Sequence, residues 1–206
     1  MGYYENKSKI NEGKMSNKIN KKSDFKVIDI FTLFSDGVSF EDFLSYLNNH
    51  GGIDAVSERG TSAFLECIIN YSNVMVDFPF ANGYAKRLIE LGADINKPDI
   101  NGHVALHYCI TSKNYEMFNY LLSNPNINIQ VEPPLLGYAL AHDIDYTPNI
   151  IKLLDLGLDP FKKGTLFSPY QVLVGIDNGS IKIGNQTKDV KPILNHIREL
   201  YGDRTE

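Results

Sequence analysis

Apolar residues recur along this chain at intervals of three and four. Ala85-Lys86-Arg87-Leu88-Ile89-Glu90-Leu91 and Ile150-Ile151-Lys152-Leu153-Leu154-Asp155-Leu156 each place them on one helical face, and Phe118-Asn119-Tyr120-Leu121-Leu122 is a shorter relative. The spacing predicts a helix at each place. Gly92 and Gly157 are placed to end two of them in the left-handed conformation that favours glycine. The segments that follow also match: Ala93-Asp94-Ile95-Asn96, Asn126-Ile127-Asn128 and Leu158-Asp159, with Asp94, Asn126 and Asp159 spaced 32 and 33 residues apart. A second pattern precedes these helices. Gly102-His103-Val104-Ala105-Leu106-His107-Tyr108-Cys109 and Gly60-Thr61-Ser62-Ala63-Phe64-Leu65-Glu66-Cys67 each read as a tight turn entering a short helix. Pro133 to Tyr138 and Ser168 to Leu173 are weaker copies. Towards the N-terminus, Val27 to Phe34 reads as one helix, and Ser39 as the N-cap of a helix over Phe40 to Leu47 that Gly51-Gly52 ends. A last amphipathic helix is expected from Val190 to Tyr201.

These paired patterns resemble the ankyrin repeat, a turn, a first helix, a second helix and a hairpin loop with a period of about 33 residues. Leu106-His107-x-Cys109 resembles the first half of that motif, and Leu88-Ile89-x-x-Gly92-Ala93-Asp94-Ile95-Asn96 the second. The resemblance implies an all-α solenoid of about four to five helix-pair repeats with short hairpin loops. It divides residues 27–206 into a degenerate N-terminal cap repeat (27–50), repeats at 51–96, 97–128 and 129–159, and a C-terminal cap repeat (160–206). One such unit cannot cover both faces of its helices, so stacking neighbours is expected to bury Leu88, Ile89, Leu121, Leu122, Leu153 and Leu154 in one continuous core. The sequence also departs from the family. Val104 and Ser62 stand where the motif has Thr, Ala105 and Ala63 where it has Pro, and only His107 keeps its histidine, which Leu65, Leu136 and Gln171 replace elsewhere.

The chain of 206 residues is 43% apolar, enough for a sizeable core, and its net charge is -5. That charge is unevenly spread. Residues 1–26 hold seven lysines against Glu5, Glu12 and Asp24, a balance of +4, which leaves 27–206 at -9. The polar tail is expected to be flexible, with Met15 an alternative start. An acidic body argues against nucleic-acid binding. No apolar run approaches the ~20 residues that cross a bilayer, no secretory leader is visible, and Asn6 breaks the acylation pattern that Met1-Gly2 opens. The expectation is a cytoplasmic protein without a membrane partner. Abundant Asn, Ile, Lys and Tyr suggest an AT-rich bacterial or viral genome.

Candidate chemistry is thin. Cys67 and Cys109 fall where the motif has a small buried residue, and His107 lies two positions from Cys109, off its helical face. His107 is expected to serve the turn. His142, Asp143 and Asp145 share one loop without a metal-binding spacing. Asn178-Gly179 resembles a two-residue hairpin turn, and Asn178-Gly179-Ser180 and Asn185-Gln186-Thr187 match the glycosylation pattern. No nucleotide-binding or nucleophile-elbow motif occurs. No catalytic, cofactor or metal residues are expected.

The family resemblance implies instead a concave binding face made of hairpin fingers and first helices. Its finger residues would be Val56, Ser57, Glu58, Arg59, Lys97, Asp99, Asn101, His103, Gln130 and Glu132, and its helix residues Glu66, Tyr108 and Ser112. Met75, Phe78 and Phe80, in a segment longer than the motif requires, have two readings: they fold back to cap the hydrophobic groove of their own repeat, or they are anchors for a partner or for self-association. The acidic body suits a basic protein partner, as for an immunity protein that neutralises a toxin. A host-directed effector, an assembly scaffold and a metal-dependent enzyme built on the 141–148 loop are the alternatives.

Overall fold

Capping side chains and turn glycines mark out the helices in the computed structural model, which describes residues 38–57, 60–70, 81–142, 147–163, 167–182 and 189–203. Nine α-helices lie among the described residues: α1 (Phe40–Asn49), α2 (Ala63–Asn70), α3 (Ala81–Glu90), α4 (Ala105–Thr111), α5 (Tyr115–Leu122), α6 (Leu135–His142), α7 (Thr147–Asp155), α8 (Pro169–Asp177) and α9 (Lys191–Tyr201). Ser39 accepts from the amide of Asp42 at the start of α1, as its sequence position predicts. Asn114 does the same for α5. At α8, Ser168 and Gln171 cap each other's backbone amides reciprocally.

The helix ends share one device. Ala93 donates to Leu88 O and Gly92 to Ile89 O, and Leu158 and Gly157 repeat both bonds on Leu153 and Leu154. This closing motif needs a left-handed residue, and Gly92 and Gly157 adopt φ of 93° and 88°. The α4 end uses the same two bonds, Asn114 to Cys109 O and Lys113 to Ile110 O, but its left-handed residue is Lys113, with φ 54°.

Two rows result. The shorter first helices α2, α4, α6 and α8 stack in sequence, and α3, α5, α7 and α9 pack behind them, with α1 continuing the second row on the N-terminal side. The core runs unbroken between the rows: Leu88, Leu121, Leu122, Leu153 and Leu154 are buried, as the repeat pattern predicts, with Phe43, Phe64 and Phe118 filling its widest places. Each fully buried leucine or phenylalanine contributes about 1.5–3 kcal/mol. Ile89 is only half-buried and lies at the margin of this core.

A polar pair bridges each junction in the second row. Arg87 of α3 reaches Glu41 of α1 at 2.9 Å, and Lys86 of α3 reaches Glu116 of α5 at 2.6 Å. Lys152 of α7 reaches Asn119 of α5 at 2.8 Å, and His196 of α9 reaches Asp155 of α7 at 2.7 Å. These exposed pairs contribute little individually. They fix the order in which helices meet, and Arg87 adds packing, its guanidinium 3.8 Å from the Phe40 ring centre.

Asn178-Gly179 is not a hairpin turn. Asn178 is the right-handed C-cap of α8, and Gly179 turns left-handed with φ 77° to end the helix. The two-residue hairpin needs positive φ at both positions, so a helix terminus with the same dipeptide reads identically in sequence. The helix expected over 27–34 lies outside the described residues.

Candidate functional site

Asp99, Asn101, His103 and Tyr108 tie the finger before α4 to that helix. Asp99 and His103 pair through backbone (Asp99 N to His103 O, 2.9 Å), and Gly102 turns left-handed between them with φ 83°. The Asp99 carboxylate accepts from the amides of Asn101 and His103, both at 2.8 Å, and from the Tyr108 hydroxyl of α4 at 2.6 Å. Asp99 is buried, and burial alone would raise its pKa. The three donors outweigh that cost and hold the carboxyl below its ordinary value. The same burial and the neighbouring carboxylate push the Tyr108 phenol up.

One turn along, His107 links this unit to the next. Its Nδ1 accepts from the Val104 amide at 3.0 Å, which places the proton on Nε2, and Nε2–H donates to Pro133 O at 2.8 Å. Val104 has no side-chain acceptor, and the imidazole serves the helix start in its place. Desolvation lowers the His107 pKa, so the ring is held neutral. Tyr138 of α6 stands edge-on to it at 4.8 Å, and His103 lies 5.3 Å from both rings. Asp99, His103, His107, Tyr108 and Tyr138 thus form one locked aromatic and polar platform on the first-helix row, beside the 75% exposed Ile100 at the finger tip.

The preceding unit holds its finger by the same geometry with the polarity exchanged. Helix α2 starts at Ala63 as α4 starts at Ala105, so Glu66 occupies the place of Tyr108. There the helix supplies the carboxylate and the finger the hydroxyls: Thr61 donates to Glu66, and Ser57 lies 2.6 Å from Thr61 and 3.4 Å from Glu66 Oε1. Glu66 is buried. In α8, Gln171 takes the place of His107, and its Oε1 accepts the Ser168 amide at 3.0 Å. The helix starts align Gly137 with His107 in α6, whereas the sequence pattern suggests Leu136.

The other expected partner-binding residues disperse. Lys97 turns back to Asp54 O at 2.7 Å, Gln130 donates to Gly157 O at 2.8 Å, and Glu132 pairs with Lys162 at 2.7 Å. Ser112 donates to Tyr108 O and finishes its own helix. Asn101 is exposed beside the platform. Glu58, Arg59, Met75, Phe78 and Phe80 lie outside the described residues, as do Asp143 and Asp145. Tyr138 was missed, although its position on α6 repeats that of Tyr108 on α4.

Cys67 and Cys109 are both buried, and desolvation pushes both thiols up, Cys67 also feeling the Glu66 charge. Neither has thiolate character. No group of three His, Cys, Asp or Glu side chains able to hold a metal converges among the described residues, and no helix there is long and apolar enough to cross a membrane.

Comparison with known sequences gives one finding. The family described as ankyrin repeats (many copies) matches residues 82–122, from α3 through the finger before α4 to α5. No curated protein sequence matches the chain. The matched stretch contains the finger, the His107 bridge and the glycine-closed helix described above, and over it the chain is similar to the ankyrin-repeat family.

Proposed function

We propose that this chain is a non-enzymatic binding module that holds a protein partner on the face formed by its fingers and first helices. The observation that carries the reading is the platform of Asp99, His103, His107, Tyr108 and Tyr138. Asp99 holds the His103 amide and the Tyr108 hydroxyl, and His107 is held by the Val104 amide and the Pro133 carbonyl, so a partner meets a preorganised surface and little ordering entropy is lost on binding. The half-buried rings of His103, Tyr108 and Tyr138 next to an exposed Ile100 supply the apolar area with polar edges that make good contact centres, with the buried His107 behind them.

The partner we propose is a basic protein. Residues 27–206 carry a charge of -9, and such a field raises the association rate of a cationic partner while discouraging acidic ones. An immunity protein that neutralises a basic toxin is the biological role that this charge suits. Affinity capture from the native host tests it. The expected result is one dominant partner, encoded nearby, whose recovery falls as salt rises and is lost on Tyr108→Ala or Tyr138→Ala. Scattered partners insensitive to salt and to both substitutions would sink the proposal.

A further inference from the structure

The finger before α4 turns its donors inward. The amides of Asp99, Asn101, Gly102, His103 and Val104 all donate to acceptors of the same unit, at distances between 2.8 and 3.1 Å. The Tyr108 hydroxyl donates to Asp99 as well, so its oxygen keeps only lone pairs for a ligand. An anionic group therefore finds none of these donors free to receive it. Asp99 adds a charge to this acceptor-rich edge. The carboxylate is buried, its nearest basic atom is His103 Nδ1 at 3.7 Å, and no lysine or arginine among the described residues pairs with it. Burial and this charge push the phenols of both Tyr108 and Tyr138 up, so both stay protonated. The rings stand together, His103 lying 6.0 Å from Tyr108 and 5.3 Å from Tyr138.

We propose that this platform receives one arginine side chain of a protein partner, its guanidinium laid against the Tyr108 and Tyr138 rings within the field of Asp99. The inference rests on the reading above that this face holds a protein. Three features select the group. Tyrosine faces attract a cation, and the planar, weakly hydrated guanidinium stacks on them where an ammonium keeps its water. The guanidinium carries five donors and no acceptor, which matches a surface that offers lone pairs. The Asp99 carboxylate, with no lysine or arginine of its own chain beside it, has its charge balanced by a cation brought from outside. Ile100, 75% exposed at the finger tip, offers apolar surface to the aliphatic stem of such a side chain.

Titration of the full chain with Nα-acetylarginine amide, followed by the ring resonances of its tyrosines, tests the proposal, with the citrulline analogue as the uncharged isostere. At about pH 8, constant ionic strength and probe concentrations up to about 50 mM, the Tyr108 and Tyr138 resonances should shift saturably with the arginine probe and about tenfold more weakly with citrulline. Asp99→Asn, which keeps an acceptor for both finger amides, should weaken the arginine response about threefold. The citrulline comparison uses the unaltered chain and so decides the matter even where the variant folds poorly. No saturable shift, an equal response to the two probes, or a response spread over tyrosines away from the platform, such as Tyr115 and Tyr201, would each overturn it. A blank titration beside a captured partner that Tyr108→Ala releases would sink the arginine and leave the binding face standing. A saturable arginine shift beside a capture that finds no partner would do the reverse.

Discussion

The Tyr108 hydroxyl donates to Asp99 Oδ2 at 2.6 Å, tying a finger to the helix that follows it. One unit earlier the same tie is made with the acid on the helix, at Glu66, and the hydroxyls on the finger, at Ser57 and Thr61. The fold specifies a bond at this place and leaves open which side supplies the proton. That freedom lets the two fingers present different chemistry while holding the same shape.

Loss of the tie should be graded. Tyr108→Phe leaves Asp99 its two amide donors and is expected to cost about 1 kcal/mol, whereas Asp99→Ala strips three bonds and should cost about 2–4 kcal/mol. Urea midpoints at neutral pH measure both. In an Asp99→Ala background, Tyr108→Phe should add almost nothing, because its partner is already gone.

Acid should act through Asp99. Its folded-state pKa lies below the unfolded value of about 3.9, so its contribution is complete above that value and is lost as the pH falls through the folded one. Asp99→Asn should be less stable at neutral pH and lose less as the pH falls below about 4. Equal acid sensitivity in the two proteins would show that the carboxylate is not responsible.

His107 adds a second window. Burial keeps it neutral, so its unfolded form binds the proton more readily, and stability should be full above about pH 6.5 and decline below it. His107→Gln keeps an acceptor for Val104 and a donor for Pro133, as Gln171 keeps the first of these in α8. It should flatten the curve below about pH 6.5 at a cost under about 1.5 kcal/mol. His107→Leu, which leaves both backbone groups unpaired, should cost about 2–4 kcal/mol in thermal melts.

Lys113 holds a conformation that suits glycine. Its φ of 54° closes α4 as Gly92 and Gly157 close α3 and α7. Lys113→Gly should raise stability by about 0.5–1 kcal/mol, read as a higher urea midpoint with an unchanged slope.

The thiols should be silent in the folded protein. Cys67 and Cys109 are buried with raised pKa values, so a thiol reagent should label neither at pH 8 and both once urea unfolds the chain. Labelling at the rate of a free thiol without denaturant would contradict the burial.

Local features were legible in the sequence because they rest on local rules. The Ser39 cap and the glycines at 92 and 157 follow from backbone geometry alone, and the pattern of Leu88, Leu121 and Leu153 follows from a helix that must bury one face. Relations between units were not legible. The Glu41–Arg87 and Asp155–His196 pairs join residues more than 40 positions apart, and nothing in either local stretch selects the partner. The exchanged tie was hidden for a different reason, because Tyr108 and Glu66 share no chemical class although they share a place.

The finger ties at 57–66 and 99–108 close within their own units, while His107 reaches forward to Pro133. This division bears on how such a gene lengthens or shortens. A duplicated unit arrives with its finger tie already made and must then match its new neighbour in core packing, in the polar pair between second helices and in the carbonyl that His107 uses. Changes in array length are then constrained at the seams between units, and the fingers are left to diverge with whatever they come to hold.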